Sequence, residues 1–342
     1  LLLRLPAPSL ETSGHPRPWP ALRGLVAEVT HDLAESQLVD GPTVTVSLLA
    51  RGRAIGTLIA GRRAGQQFRS GAVETLDDLC RRAAWALDNA RLYRERSTIS
   101  AALQRSLLPA ALPQIPRLDL GIAYEAAGEG IDVGGDFYDV FALDGTRWGF
   151  VIGDVCGKGA EAAAVAGLAR HSLRVLAREN QGVPRVLQRL NGTILAEGEA
   201  TRFVTLVYGE LALAEDGGVT VTLAAAGHPL PVLVNDDGAL RTVGRPQTLL
   251  GVLPDLVFRT DTFRLQRGQH LVITTDGVVD RRSGRRDLGE RGLHTVLQQS
   301  ARLPAAAVAA RIRRAVLDFS TEPLQDDFAV LVLQPVGLAP GR

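Results

Sequence analysis

Between Leu118 and Gln334 apolar extended runs alternate with hairpin-length breaks, and the helical segments come in pairs. FYDVFAL, RWGFVIG, FVTLVYGELAL, VTVTLAAAG, LPVLV, VFRTDTFRL, HLVITT and FAVLVLQ have strand composition, with Gly, Asp and Pro between them. Helical patterning falls at 160–178, 184–197, 287–299 and 304–319. Strands joined by short turns and punctuated by helix pairs argue for antiparallel sheets faced by helices, not for a doubly wound parallel sheet. The fold class expected is α+β.

Four aspartates stand at strand ends: Asp136 in GGDFYD, Asp154 in GDVCGKG, Asp276 in TTDGVVD and Asp326 in QDDFAV. Asp144 and Gly145 signal a turn between FYDVFAL and RWGFVIG. In a hairpin closed at 144–145 or 144–146, paired positions keep a constant sum, so Asp136 and Asp154 face each other within one residue, with Cα atoms about 5 Å apart. Two carboxylates that close raise each other's proton affinity unless a cation lies between them. Any one of the four reads well as a turn residue. Four together, three beside Gly135, Gly153 or Gly277, where backbone and ligand can approach closely, point instead to a shared site. A set of aspartates without nearby His or Cys suits Mg²⁺ or Mn²⁺ better than zinc. Two such ions about 4 Å apart would clamp both oxygens of an in-line phosphoryl displacement. Asp154 is the expected bridge, and the exposed carbonyl of Val155 is a further oxygen donor.

Other chemistries fit less well. GDVCGKG lacks the spacing and the Ser or Thr of a phosphate loop, and neither a GxSxG elbow nor an HExxH pair is present. His228 in AGHPLP reads as a loop residue held by hydrogen bonds. Arg281, Arg282, Arg285 and Arg286 form either a phosphate-gripping cluster or a solvated loop. A net charge of +1 carries no nucleic-acid footprint and disfavours a nuclease. Cys80 and Cys156 lack CxxC spacing, which fits a reducing cytoplasm, and no apolar run approaches the roughly 20 residues needed to span a bilayer. The start LLLRLPAPSL has no methionine and no signal-peptide pattern, so it reads as the beginning of a fragment.

The first third is organised differently. Residues 1–22 are proline-rich and irregular, a short helix is expected at 22–36, and TVTVSLLA with AIGTLIAGR form a hairpin through RGR. A long helix begins near Ser70, with apolar positions Val73, Leu76, Leu79, Ala83, Leu87, Ala90, Ile99, Leu103 and Leu107. It stops before Pro109, where LPAALPQIPR breaks regular structure. The apolar stripe either packs on its own domain or pairs in a parallel coiled coil that would link two protomers into a homodimer. The polar stretch RLYRERSTIS favours a linker.

GGDFYD, GDVCGKGAEAA, FVTLVY, AGHPLP, LLGV, TTDGVVD and DDFAVLVL, in that order within residues 104–334, resemble the bacterial PPM-type (protein phosphatase 2C-like) serine/threonine phosphatases of the stage II sporulation and sigma-factor-regulator class. The resemblance implies a four-layer αββα sandwich of two antiparallel sheets and two Mn²⁺ or Mg²⁺ ions. It implies hydrolysis of phosphoserine or phosphothreonine on a small regulatory protein of the anti-sigma-factor antagonist type. By motif position Asp136, Asp154, Asp276 and Asp326 become the catalytic metal ligands, with the Val155 carbonyl as a fifth contributor. Val155 stands where the family often has glycine, and Phe328 where it often has threonine. No phosphate-binding arginine is placed by motif. Residues 46–97 resemble the C-terminal half of a GAF sensor domain whose first part is expected to be absent. The organisation expected is a GAF-like part over 1–93, a helical linker over 94–110, the phosphatase domain over 111–335 and a tail over 336–342. A signal would pass down the linker and reposition helix 160–178. The rival reading is a catalytically silent signalling scaffold, which would be expected to have lost one of the four aspartates; none is lost.

Overall fold

The computed structural model describes residues 2–4, 41–109, 111–127, 133–197, 202–214 and 218–337. The helix expected at 22–36 lies outside them. Two compact units, Leu1–Arg96 and Ser97–Arg342, divide the chain.

In the first unit β1 (Leu2–Arg4), β2 (Thr43–Ala50) and β3 (Arg53–Gly61) form an antiparallel sheet of order β1-β3-β2. Residues 1–22 are thus not irregular throughout. The β2–β3 turn is the two residues Arg51 and Gly52, at φ 50 and 74. Two left-handed residues in succession match the twist of a two-residue hairpin. Val46, Leu48 and Ala50 alternate onto one sheet face and bury against Cys80 and Ala84 of α1 (Ala72–Leu107). Leu76 and Leu87 join that core, whereas Val73, Leu79, Ile99 and Leu103 remain exposed along the helix. No helix among the described residues is long and apolar enough to cross a membrane.

The second unit is built on two five-stranded antiparallel sheets. One has the order β11-β8-β7-β6-β5, from β5 (Phe137–Ala142), β6 (Arg147–Val155), β7 (Val204–Leu213), β8 (Val219–Ala226) and β11 (Asp261–Leu265). The other has the order β10-β9-β12-β15-β4, from β4 (Leu118–Glu125), β9 (Val232–Val234), β10 (Leu240–Thr242), β12 (His270–Thr274) and β15 (Phe328–Pro335). Strand alternation sorts the side chains into three cores. Phe150, Ile152, Val207 and Leu211 of the first sheet meet Leu271, Ile273, Leu331 and Leu333 of the second. The other faces are apolar as well: Val151, Leu206 and Tyr208 pack under α2 (Ala160–Ala177) and α3 (Val183–Ala196), and Val272, Val330 and Val332 pack under α5 (Gly289–Gln298) and α6 (Ala305–Asp318). The result is a four-layer αββα sandwich. Both faces of each central strand are covered, which is why β6, β7 and β15 read as continuous apolar runs in place of strict alternation. Each fully buried Leu, Ile, Val or Phe contributes about 1.5–3 kcal/mol of transfer free energy, so the closed ends of these strands make a rigid base for the loops above them.

Candidate metal centre

The β5–β6 hairpin aligns the first two aspartates. Its ladder runs from Phe137↔Gly153 to Ala142↔Trp148, and Leu143 N–H donates to the Arg147 carbonyl at 2.9 Å. The Asp144 carboxylate accepts from the Thr146 and Arg147 N–H groups and closes the turn over residues 144–146. Continuing the register one step beyond Phe137↔Gly153 sets Asp136 opposite Asp154, and Val155 N–H donates to the Gly135 carbonyl at 3.3 Å beyond them. Asp136 is only 2% exposed, while Asp154 is half-buried.

The second pair comes from the other sheet. Thr275 follows β12 and precedes α4 (Asp276–Val279), a single turn whose first residue is Asp276. Asp326 and Asp327 immediately precede β15, which pairs with β12 through Thr274↔Val330. Thr275 fastens the two sheets together. Its N–H donates to the Ala329 carbonyl at 3.1 Å, and its Oγ1 accepts from Ala329 N–H at 2.8 Å while donating to Asp136 Oδ2 at 2.7 Å. Asp327 is buried, and its Oδ1 accepts from Ala127 N–H at 2.6 Å.

Glycines allow these backbones to meet. A Cβ on Gly135 would lie 2.3 Å from the Val155 carbonyl oxygen and 2.7 Å from Asp154 Oδ1, and one on Gly277 would lie 1.8 Å from the Asp327 carbonyl oxygen. A side chain at either position would collide with the group it now cradles.

The electrostatics are those of crowded anions. Burial, then the facing Asp154, hold the Asp136 carboxyl well above the usual carboxylate range, with the Thr275 hydrogen bond opposing them. Burial, then Asp276 and Asp326, push Asp154 up to about 7. Asp276 is raised by burial and by Asp326, although its side chain is open to solvent; the electrostatic coupling is the firmer of the two causes. Among the described residues no three His, Cys, Asp or Glu side chains are drawn together as a ready-made metal shell. The carboxylates are coupled across the two sheets: Asp136 feels the charge of Asp154, and Asp154 that of Asp276 and Asp326. The donor set nevertheless fits a hard divalent cation. It is all oxygen, it stands on glycine-cleared backbone, and the strongest charges acting on buried Asp136 are the negative ones of Asp154, Asp327 and Asp276.

The remaining candidates separate cleanly. His228 is buried, with Nδ1 3.0 Å from Thr205 Oγ1, and burial lowers its pKa to about 3, so it stays neutral. Arg281 is structural: its guanidinium donates to the carbonyls of Val316, Ser320, Glu322 and Pro323. Arg282, Arg285 and Arg286 are exposed on the β13 (Arg282–Ser283) and β14 (Arg286–Asp287) hairpin. Sequence reasoning missed Thr275 and Asp139. Asp139 is fully buried in β5 between Arg170 and Arg174 of α2, at 3.2 and 2.8 Å. Its one sequence signal was the second acid of GGDFYD, two residues after a phenylalanine on the same strand.

Residues 144–335 match the family model of Stage II sporulation protein E (SpoIIE). The chain belongs to the SpoIIE family. Among its relatives, phosphoserine phosphatase RsbU of Bacillus subtilis is 26% identical over 237 residues, covering 69% of this chain and 69% of that protein. Protein IcfG of Synechocystis is 29% identical over 208 residues, which cover 53% of this chain and 32% of that relative, so the chain spans about a third of its length. The RsbU and RsbW domains of Rv1364c from Mycobacterium tuberculosis superpose with a TM-score of 0.57 at 27% identity, covering 68% of this chain and 64% of that one. The SiaA-PP2C domain of Pseudomonas aeruginosa gives a TM-score of 0.60 at 18% identity, covering 73% and 99%, a likeness of fold. The SpoIIE match begins inside the β5–β6 turn and includes Asp154, Asp276 and Asp326.

Proposed function

We propose that this chain is a divalent-cation-dependent phosphoprotein phosphatase acting on phosphoserine or phosphothreonine of a regulatory protein of the anti-sigma-factor antagonist type. The observation that carries this reading is the alignment of Asp136 with Asp154 across the β5–β6 register, in electrostatic contact with Asp276 and Asp326 of the second sheet. Membership of the SpoIIE family, with RsbU a phosphoserine phosphatase by name, supports it.

In this reading Asp136, Asp154, Asp276 and Asp326 would hold two Mn²⁺ or Mg²⁺ ions, with the Val155 carbonyl as a further donor. Such a pair supplies Lewis-acid polarisation of a phosphoryl group and a water acidic enough to react near neutral pH. The chain's own residues prepare the site. Thr275 holds one oxygen of Asp136, and with it the strand end, against the second sheet. Asp327 fixes the backbone at Ala127 and leaves Asp326 open to solvent. Uncompensated, the acid cluster would repel a phosphate monoester, so cation binding has to precede substrate.

Regulation follows the same geometry. Asp139 lies in β5, three residues beyond Asp136, which directly precedes that strand, and is gripped by Arg170 and Arg174, so a displacement of α2 is transmitted through β5 to Asp136. The GAF-like first unit receives the signal, and the last turns of α1, up to Leu107, convey it, with the exposed residues Ile99 and Leu103 suited to pairing two protomers.

The test is phosphate release from a phosphoserine peptide with added Mn²⁺, comparing the wild type with Asp154→Asn and Asp276→Asn. Turnover by the wild type and its loss in both variants is expected. An inactive wild type, or undiminished turnover in the variants, overturns the proposal.

A further inference from the structure

Among the 38 basic Lys and Arg residues of the chain a single one, Lys158, is lysine. It lies in GDVCGKG between Gly157 and Gly159, both at φ 92. That backbone region is costly for any residue with a Cβ. The loop is therefore bent in a way that glycine permits, and the bend carries the Lys158 side chain to the segment before β15. There Nζ donates to the Gln325 carbonyl and lies 3.0 Å from Asp326 Oδ1.

The nearby arginines have other work. Arg202 donates to the Cys156 carbonyl at 2.8 Å and to Glu161 at 3.0 Å. Arg281 is taken up by backbone carbonyls. Among the described residues Lys158 is the cation paired with the acid cluster, and it pairs with the solvent-accessible Asp326. The side chains of Lys158 and Asp326 are 39% and 58% exposed, so the pair is strong enough to compete for the carboxylate and weak enough to be displaced.

We propose that Lys158 is a built-in counter-cation of this site: its ammonium holds Asp326 when no divalent ion is bound, and divalent-ion binding at the cluster displaces it. The inference rests on the assignment of Asp326 as a metal ligand given above. The GKG loop then sets the cation concentration at which the site fills, because each ion that takes Asp326 must first outcompete a tethered amine. Displacement leaves a mobile ammonium at the mouth of the site.

A single lysine makes the test direct. The full chain is acylated with a limiting N-hydroxysuccinimide ester at rising Mg²⁺, with NaCl holding ionic strength constant, and modification at Lys158 is followed by peptide mass spectrometry. Mg²⁺ affinity is measured in parallel by calorimetry. The acylation rate is expected to rise severalfold with a midpoint at the calorimetric dissociation constant. Lys158→Met is expected to bind Mg²⁺ about two- to fivefold more tightly, the range equivalent to an exposed ion pair, and Lys158→Arg is expected to stay near the wild type. Mg²⁺ binding with unchanged Lys158 reactivity overturns the displacement and leaves the metal-ligand reading standing. Equal or weaker binding by Lys158→Met also overturns it. Absence of any Mg²⁺ binding by the wild type overturns both.

Discussion

Replacing Thr275 with valine removes one hydroxyl and keeps the side-chain shape. In the native structure that hydroxyl donates to Asp136 Oδ2 at 2.7 Å and accepts from Ala329 N–H at 2.8 Å. Thr275 and Ala329 are 0% exposed and Asp136 is 2% exposed, so water cannot take over either bond. Each buried partner left unsatisfied costs about 1–3 kcal/mol, with the carboxylate at the upper end. The expected loss is about 3–5 kcal/mol, slightly reduced by the apolar surface the new methyl buries. For a domain of this size that corresponds to a fall in Tm on the order of 10 °C. The lost hydrogen bond also opposed the high proton affinity of Asp136, so the variant should bind divalent cations more weakly. Urea denaturation of the metal-free protein and Mg²⁺ calorimetry measure the two effects separately, and Thr275→Ser should recover most of both. A valine variant within about 0.5 kcal/mol of the wild type, with unchanged Mg²⁺ affinity, would refute the idea that Thr275 ties the sheets together beneath the carboxylates.

Two further outcomes are expected. Gly277→Ala places a methyl 1.8 Å from the Asp327 carbonyl oxygen, a backbone atom that cannot step aside, whereas Gly145→Ala meets nothing within 4 Å. Thermal unfolding should therefore show a collapse of stability for the first and a change within about 0.5 kcal/mol for the second; equal behaviour would contradict the packing described. Asp154, raised to about 7 in the folded metal-free protein from an ordinary 3.8, binds a proton there that the unfolded chain has already released. Its contribution to stability is complete below about pH 4 and is lost as the pH rises through about 7. Without metal the urea midpoint of the wild type should fall between pH 5 and pH 8 relative to that of Asp154→Asn, a comparison that cancels the opposite contribution of buried His228, and Mg²⁺ should reverse the fall at pH 8; a rise relative to the variant would count against the coupling.

Much of the sandwich was legible because its strands are long and apolar and its helices are paired. The exceptions have local reasons. β10 is a three-residue strand at a sheet edge, Leu240–Thr242, with no apolar run to announce it. VFRTDTFRL reads as one strand, yet only Asp261–Leu265 pairs with β8, because the earlier residues belong to a loop pinned by Gln247, which accepts from Arg259 N–H and donates to the Arg259 carbonyl. In the arginine cluster, four similar residues receive different fates: Arg281 is buried under carbonyls 35–42 positions away, while Arg282, Arg285 and Arg286 stay in solvent. Nothing in their spacing distinguishes them.

The amino-acid sequence by itself determined the facing of Asp136 and Asp154. A tight turn fixes the register of an antiparallel hairpin, and register is a local property of turn length and side-chain alternation. The tertiary structure alone decided that Asp276 and Asp326 share their electrostatic field, that Thr275 crosses from one sheet to the other, and that Lys158 reaches Asp326, 168 positions along the chain. Those contacts depend on how two sheets stack and where their loops are brought to lie. Stacking is driven by nondirectional burial of apolar surface, which a sequence pattern reports as a face to be covered without naming the residues that will meet at its edge.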